Sequence, residues 1–223
     1  MNKLLTLLKS GLVACAACGL LLAADLKPST EKTMTTPPKL EKATFGAGCF
    51  WGVEGVFSHV KGVTSAVSGF HGGNAAGAKY DVVVSGVTNH AESVKITYDP
   101  AVVRYDQLLR IFFAVVADPT LKNRQGPDVG SHYRSAIVPM NAEQAVVAKA
   151  YLAQMGKSGV WSKPIVTKIE PYKAFYPAEG YHQDFMANNP KHGYIVRWDA
   201  PKVAALKTRF PAFYRASFLR DAG

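Results

Sequence analysis

The sequence predicts an α+β protein, a two-layer sandwich in which a mixed β-sheet packs against helices. Strand-like and helix-like segments alternate along the chain without a dinucleotide-binding glycine fingerprint. The 223 residues are 48% hydrophobic and 19% charged, a composition that can bury a core of ordinary size. We therefore expect one folded domain, over residues 43–223.

The first 24 residues have the plan of a secretory signal. Lys3 and Lys9 precede an uncharged apolar run over residues 11–24, which is too short to span a bilayer comfortably. We expect cleavage after Ala24 and a periplasmic protein; a second interpretation has a lipid on Cys15 and a membrane tether. The polar, proline-containing residues 25–42 are expected to form a flexible linker.

The predicted elements follow the hydrophobic pattern. A first helix is expected after Gly48, because apolar residues recur at helical spacing from Val53 to Val60. Asn141 is expected to cap a later helix, with Gln144 three residues on as in a capping box. The other predictions are strands over 63–70, 93–98, 135–140 and 165–170, helices over 105–118, 142–155 and 179–188, and loops over 71–81 and 119–135.

Cysteine usage draws attention to one residue. Cys15 and Cys18 have CxxC spacing but lie inside the apolar N-terminal run. Once that run is removed, Cys49 is the last thiol of an exported protein, where unpaired cysteines are unusual. A cysteine in the first turn of a helix is near unpaired N–H groups and the positive end of the dipole. We therefore expect a lowered pKa for Cys49, with flanking glycines that leave the thiol accessible; the alternative is a buried structural cysteine.

Two aromatic residues follow the cysteine directly. Neighbouring residues on a helix point about 100° apart, so Phe50 and Trp51 cannot both face the core. We expect at least one ring near the surface beside the thiol, where it would form an apolar pocket for a methyl group. Burial of both rings is the competing interpretation.

The residues alone leave the target of the thiol open. Attack on a carbonyl needs a histidine base, and no spacing singles out one of the six histidines. Attack on an oxidised sulfur needs an acid and hydroxyl donors for the leaving oxygen. The candidates for those roles are Glu92, Tyr80, Tyr133 and Asp128, although each taken singly also has an ordinary structural explanation.

Four motifs in order resemble those of the peptide methionine sulfoxide reductase A family. They are GAGCFWGVEGVF, NHAESVKITYDP, GPDVGSHYRSAI and YPAEGYHQDFM, and the resemblance runs from about Thr44 to about Tyr194. It implies a mixed α/β fold and a catalytic domain that reduces the S epimer of methionine sulfoxide, free or in peptides and proteins.

The resemblance also implies roles for single residues. Cys49 would attack the sulfoxide sulfur and become a sulfenic acid, and Phe50 and Trp51 would hold the substrate methyl group. The other matches are Glu92 as the acid, Tyr80 and Tyr133 as hydrogen-bond donors to the sulfoxide oxygen, Asp128 on the polar side of the pocket, and His182, a substrate-side residue without a role that its chemistry assigns.

The chain departs from the family at its C-terminus. Many members carry resolving cysteines there, but residues 191–223 contain no cysteine. We expect no intramolecular disulfide, and reduction of Cys49 by an external thiol, either a thioredoxin-like protein or a small molecule. A smaller departure is Asn89, where the family often has glycine; we expect little effect from it.

Net charge and the absence of further motifs limit which other partners we expect. The formal net charge is +10, but the basic residues are scattered, so we expect no binding to nucleic acid. No metal cluster or phosphate loop is apparent, so we expect no cofactor, and we expect a monomer. Three alternatives stay open: a thiol peroxidase that consumes peroxide, a cysteine hydrolase that needs one histidine, and a non-enzymatic binder of oxidised methionine limited to one turnover.

Overall fold

A six-stranded sheet organises residues 39–220, the part of the chain that the computed structural model describes. Its strand order is β7-β6-β1-β3-β2-β8, and β4 pairs with β5 in a separate hairpin. The strands are β1 (Glu41–Gly46), β2 (Val63–His71), β3 (Ala91–Tyr98), β4 (Arg124–Gln125), β5 (Asp128–Val129), β6 (Ala136–Val138), β7 (Lys168–Ile169) and β8 (Phe175–Pro177). The expected signal over 1–24 and most of the linker lie outside the described residues.

Six α-helices accompany the strands within residues 39–220. They are α1 (Phe50–Ser58), α2 (Tyr80–Val84), α3 (Tyr105–Ile111), α4 (Ala142–Lys157), α5 (Phe185–Asn188) and α6 (Ala200–Arg209). Short 3₁₀ turns cover Ala75–Gly77, Ser131–Tyr133 and Gly180–His182, and π-helical turns cover Phe112–Val116 and Ile195–Asp199. None of the described helices is long and apolar enough to cross a membrane.

The pairing of the strands confirms the predicted fold class. The pair β6–β7 is parallel, whereas β1 pairs antiparallel with both β3 and β6, and β2 pairs antiparallel with β3 and β8. The sheet is therefore mixed, as predicted, and the fold is α+β. The strand β1 lies inside the sheet, so its last four residues, Ala43 to Gly46, are buried.

An aromatic stack joins the sheet to the first helix. The ring of Phe45 lies 5.2 Å from that of Phe57 in α1 and 5.1 Å from that of Phe112. Every residue of α1 except Trp51 is buried, so this helix is enclosed by the fold rather than lying on its surface. The element that follows Cys49 is thus held rigidly by the core.

Tertiary contacts changed three of the predicted elements. The helix expected over 105–118 becomes a π-turn at Phe112, with the Ala117 N–H bonded to the Phe112 carbonyl. The helix expected over 179–188 is broken at Asp184, which takes φ 54° while its N–H donates to Glu54. The strand expected over 165–170 shortens to two residues, because only Ala136 and Ile137 are in register with it.

The expected loops contain regular structure as well. The loop over 119–135 includes the β4–β5 hairpin, and Tyr80, which was expected to end a loop, begins α2. The predicted cap of α4 is present, since the Gln144 N–H donates to Asn141 Oδ1 at 2.8 Å. The reciprocal bond goes one residue further back, because Gln144 Oε1 accepts from the Met140 N–H at 2.9 Å.

The C-terminal segment completes the far end of α1. The N–H of Arg215 donates to the His59 carbonyl at 2.8 Å, and its guanidinium donates to the Ser58 carbonyl at 2.9 Å. The Lys61 N–H in turn donates to the Phe213 carbonyl at 2.7 Å. Carbonyls at a helix C-terminus have no partner within the helix, so this segment supplies the partners that α1 needs.

Candidate active site

The candidate site is built around the first turn of α1. Cys49 is the N-cap residue, one position before the helix rather than inside its first turn as predicted. The N–H of Phe50 donates to Glu92 Oε2 at 2.9 Å. A carboxyl group from β3 therefore satisfies one of the donors that a helix start leaves without a partner, directly beside the thiol.

The prediction that glycines leave the thiol accessible is wrong. Cys49 is only 9% exposed. Gly48 takes φ +73°, and a Cβ atom there would lie 2.6 Å from the Cβ of Gln125. Gln125 is buried and bonds both the N–H and the carbonyl of Asp118. Glycine is thus needed at position 48 because Gln125 of β4 packs directly on the cysteine turn.

Glu92 provides a carboxyl group that burial keeps protonated. It is the second residue of β3, inside the strand rather than before it, and is 1% exposed. Burial raises the pKa of Glu92 to about 8, the hydrogen bond from Phe50 opposes this, and the nearby charges of Asp128 and Asp199 add to it. At neutral pH the group is therefore mostly an acid with a proton to donate.

The predicted lowering of the Cys49 pKa is also wrong. Burial raises the pKa of Cys49 well above its usual value, and the charges of Glu92, Asp199 and Asp128 raise it further. The backbone N–H of Trp51 does lower the pKa, as expected at a helix start, but the desolvation of the thiolate is the larger effect. The thiol of the free protein is consequently protonated.

Three tyrosine hydroxyls near Cys49 have pKa values that burial raises. Burial raises the pKa of Tyr80 to about 12, with Glu92 and Cys49 adding to the shift. Burial also raises the pKa of Tyr133, with further contributions from Glu92, Tyr80 and Cys49. Tyr194 was not among the predicted site residues, yet burial raises its pKa and Cys49 is the second cause. All three hydroxyls stay protonated and can donate hydrogen bonds.

Asp128 is tied into the site through Tyr194. The Tyr194 hydroxyl donates to Asp128 Oδ2 at 2.5 Å, and the same oxygen lies 3.7 Å from where a Cβ on Gly48 would be. The structure therefore brings Cys49, Tyr80, Glu92, Asp128 and Tyr133 to one region, as the resemblance implied for these residues.

The two rings after the cysteine divide as predicted, one buried and one partly exposed. Phe50 is 1% exposed and lies against Phe70, with ring centroids 5.8 Å apart. Trp51 is partly buried and stacks on Phe185 at 3.7 Å with an angle of 8° between the rings. Its edge faces Tyr194 at 6.1 Å. An apolar surface thus lies next to the thiol.

His182, for which the sequence assigned no role, holds the aromatic residues together. Its Nδ1 accepts from the Trp51 indole N–H at 3.1 Å, and its ring lies 4.2 Å from that of Tyr80. Burial lowers the pKa of His182, so the ring is neutral, as an Nδ1 acceptor requires. The contact explains why a histidine stands at this position.

The segment around His182 is fixed to the sheet and to α1 by neighbours that the sequence did not single out. The Gln183 side chain accepts from the Ser68 N–H and donates to the Ser68 carbonyl, both at 2.9 Å. Glu54 accepts from the Ser68 hydroxyl at 2.8 Å and from the Asp184 N–H at 2.9 Å. Glu179 accepts from the Tyr80 N–H at 3.0 Å. One segment therefore orients Trp51 and Tyr80 together.

Three of the other histidines have structural partners away from the thiol. His90 bonds the Asn74 carbonyl at 2.9 Å and the Gly73 N–H at 3.2 Å. His71 lies 3.7 Å from Glu170, and His59 lies at the opposite end of α1 from Cys49. These contacts give no support to a histidine-activated thiol.

One sequence feature could have revealed a further neighbour of the site. Glycines inside a helix usually have a packing reason, and α1 contains Gly52 and Gly55. A Cβ atom on Gly52 would lie 2.1 Å from Asp199 Oδ1, and one on Gly55 would lie 2.4 Å from the terminal methyl of Met186. Asp199 is a fully buried carboxyl group that sequence reasoning missed.

The arrangement is suited to attack by a thiol on a sulfur that carries oxygen. A protonated carboxyl group and tyrosine hydroxyls converge where a polar oxygen would need stabilising, and an apolar ring surface lies beside them. Within residues 39–220, no three His, Cys, Asp or Glu side chains are grouped in a way that could hold a metal ion.

Comparison with known proteins agrees with this reading of the site. The family model described as peptide methionine sulfoxide reductase matches residues 41–212. A peptide methionine sulfoxide reductase MsrA 2 of Mesorhizobium japonicum is 55% identical over 177 residues, which cover 79% of this chain and 91% of the relative.

Two solved structures are also similar to this chain. Mxr1 from Saccharomyces cerevisiae in reduced form is similar with a TM-score of 0.59 at 31% identity, over 70% of this chain and 89% of that one. Methionine sulfoxide reductase A of Corynebacterium diphtheriae is similar with a TM-score of 0.59 at 32% identity, over 70% of this chain and 77% of that one.

Proposed function

The chain belongs to the peptide methionine sulfoxide reductase family and is an oxidoreductase that reduces methionine sulfoxide, and we propose that it acts on the S epimer through a sulfenic acid on Cys49. The observation that carries the mechanism is the buried, protonated carboxyl group of Glu92, hydrogen-bonded to the helix start that also bears the thiol. The substrate is methionine sulfoxide, free or in peptides and proteins.

In the proposed complex, the S-methyl group lies against Phe50 and Trp51. Their burial and stacking, together with the indole hydrogen bond to His182, support a rigid apolar pocket. The sulfoxide oxygen then faces Glu92, Tyr80 and Tyr133, which donate hydrogen bonds to it. Discrimination between epimers follows, because exchanging the methyl group and the oxygen would place each in the wrong environment.

The proposed reaction transfers one oxygen atom and two electrons. Glu92 donates its proton to the sulfoxide oxygen as the Cys49 sulfur attacks the sulfoxide sulfur, and the thiol proton returns to the carboxylate. An S–S bond forms as the S=O bond becomes S–OH. The hydroxyl then passes to the Cys49 sulfur as the new S–S bond breaks, which leaves methionine and Cys49 sulfenic acid.

An external thiol completes the proposed cycle. Residues 191–223 contain no cysteine, so a thiol from another molecule attacks the sulfenic acid, forms a mixed disulfide and releases water. A second thiol breaks that disulfide and restores Cys49, so two thiols leave as one disulfide. The donor is a thioredoxin-like protein or a small dithiol, and the enzyme acts as a monomer.

We place the enzyme outside the cytoplasm. Residues 1–24 have the composition of a cleavable signal, and residues 25–42 that of a linker. The proposed mature protein is periplasmic and repairs oxidised exported proteins; a lipid on Cys15 would tether the same domain to the membrane.

Turnover of the separate sulfoxide epimers tests the proposed function. The full chain would be supplied with excess dithiol and a peptide that contains either the S or the R epimer. We expect many turnovers on the S epimer, none on the R epimer, and none with Cys49→Ser. Failure to reduce the S epimer, together with rapid dithiol-dependent consumption of peroxide, would contradict the proposal in favour of a peroxidase.

A further inference from the structure

Asp199 is a buried carboxyl group that the proposed mechanism does not use. It is fully buried and ends the π-turn that precedes α6. Its Oδ1 accepts from Lys202 Nζ at 3.0 Å, and its Oδ2 has no hydrogen-bond partner among the described residues. A buried carboxylate is costly unless it is paired and its oxygens are hydrogen-bonded.

The pair of Asp199 and Lys202 packs directly on the first turn of α1. A Cβ atom on Gly52 would lie 2.1 Å from Asp199 Oδ1 and 2.8 Å from Lys202 Nζ. Residues three apart share one face of a helix, so Gly52 lies on the same face as Cys49. The absence of a side chain at position 52 therefore lets the carboxylate approach the helix start beside the thiol.

Among the carboxyl groups near Cys49, Asp199 forms an ion pair with a lysine, Lys202. Glu92 is mostly protonated at neutral pH, and Asp128 accepts a short hydrogen bond from Tyr194. Burial raises the pKa of Asp199, whereas the charge and hydrogen bond of Lys202, at ion-pair distance, oppose this and favour the ionised form. The titratable groups that act on the thiol are Glu92 on β3, Asp128 on β5, Asp199 in the π-turn, Tyr80 on α2, Tyr133 and Tyr194. Lys202 on α6 contacts Asp199, and His182 contacts Trp51.

We propose that Asp199 is a further functional residue of this site, whose carboxylate, held against Gly52 by Lys202, keeps the Cys49 thiol protonated in the free enzyme. A protonated thiol reacts slowly with peroxides and alkylating agents. The resting enzyme would therefore be protected from the oxidants whose damage it repairs. The electrostatic effect of Asp199 on Cys49 has the direction that this requires. The inference rests on Cys49 as the reacting thiol, but its test needs no sulfoxide.

The pH dependence of Cys49 alkylation tests the proposal. The full chain carrying Cys15→Ser and Cys18→Ser has Cys49 as its sole thiol, and the rate of reaction with iodoacetamide reports its thiolate fraction. We expect Asp199→Asn to lower the midpoint by about one pH unit, which is about a tenfold faster reaction at pH 7.5. An unchanged or raised midpoint in a folded Asp199→Asn variant would overturn the proposal.

Two further variants separate charge from loss of structure. Asp106→Asn makes the same change in an exposed ion pair with Arg104 and should leave the midpoint where it is. Gly52→Ala should displace the carboxylate from the helix and lower the midpoint without altering residue 199. If Gly52→Ala leaves the midpoint unchanged while Asp199→Asn lowers it, the role assigned to the contact with Gly52 is wrong.

This test and the test of the proposed function fail in different ways. A protein that reduces no sulfoxide but shows the shifted midpoint would refute the proposed function and leave the role of Asp199 supported. A protein that reduces the S epimer but alkylates identically with and without the Asp199 carboxylate would retain its function and lose this inference.

Discussion

At the scale of single residues, two buried glutamates have different environments and are suited to different roles. Both are 1% exposed. Glu54 accepts from the Ser68 hydroxyl and the Asp184 N–H, and so joins three segments. Glu92 accepts from the Phe50 N–H, and burial dominates its titration and raises its pKa to about 8. The first is suited to holding the fold and the second to giving up a proton.

Replacing the proposed acid should remove most of the activity. We expect Glu92→Gln to slow single-turnover reduction of the S sulfoxide by about 100-fold or more, because general acid catalysis contributes about that much. Rapid quench of a single turnover, with detection of methionine, measures the rate. Glu54→Gln is the matched control and should lower stability more than rate. Equal losses of rate in the two variants would argue against a special role for Glu92.

The same carboxyl group predicts a pH dependence. Its pKa is raised to about 8, so the acidic form is present below that value and is lost as the pH rises through it. The single-turnover rate in the native protein should therefore fall above about pH 8, and the small residual rate of Glu92→Gln should not show this decrease. A wild-type rate that keeps rising to pH 9.5 would mean that thiolate formation outweighs the loss of the acid.

At the scale of elements, a partly buried ion pair crosses one end of the sheet. Arg134, which follows Tyr133, contacts Glu170 at 2.7 and 3.0 Å and donates to the Asn89 carbonyl at 3.1 Å. Burial alone would raise the pKa of Glu170, but the hydrogen bonds and charge of Arg134, with His71 nearby, lower it to about 2. Because His71 is 3.7 Å away, we attribute most of this effect to Arg134. The pair thus links the loop that carries Tyr133 to the segment before β3.

Removing that arginine should destabilise the protein in a pH-dependent way. The folded-state pKa of Glu170 is depressed from its ordinary value of 4.5 to about 2, so its stabilisation is present above about pH 4.5 and is lost as the pH falls toward 2. We expect Arg134→Met to lower the free energy of unfolding at pH 7 by about 2 kcal/mol, with a smaller difference at pH 3. Urea unfolding at both pH values measures this.

An exposed ion pair provides the control for that experiment. Arg104 and Asp106 have side chains that are 64% and 46% exposed, and such solvent-screened surface pairs contribute little to stability. Arg104→Met should therefore change stability little at either pH. If Arg134→Met cost no more than Arg104→Met, the ion pair at the end of the sheet would not be a structural link.

At the scale of the whole molecule, the C-terminal segment, residues 191–220, makes structural contacts. The family that the chain resembles often has resolving cysteines in this segment. Tyr194 bonds Asp128, Asp199 packs on Gly52, and Arg215 caps the last carbonyls of α1. The segment is thus packed along the helix that follows Cys49.

A single turnover without any thiol should leave one stable sulfenic acid. We expect one equivalent of methionine per protein and quantitative labelling of Cys49 by dimedone, read by mass spectrometry of peptides. Protein secreted from a cell and cleaved after Ala24 should behave identically, because it retains Cys49 as its only thiol. A disulfide from Cys49 to Cys15 or Cys18 in secreted material would contradict both the cleavage and the external-thiol cycle.

Local pattern predicted much of the fold, whereas the roles of the site residues came from the family resemblance. Helical spacing identified α1, an asparagine and a glutamine identified the start of α4, and the α+β class followed from alternating elements. The broken helix at Asp184 and the π-turn at Phe112 could not be found in this way. Both depend on bonds or packing with residues distant in the chain, whereas hydrophobic periodicity reports only which face of a segment is apolar.

The sequence by itself determined which chemical groups the protein has: one thiol beyond the N-terminal segment, two rings beside it, and an acid with hydroxyl donors in motifs of recognisable order. Only the tertiary structure decided their state. The helix start was expected to lower the pKa of Cys49, but burial and three carboxyl groups raise it. A dipole can be inferred from neighbouring residues, whereas desolvation and the approach of Asp199 through Gly52 depend on how distant segments pack.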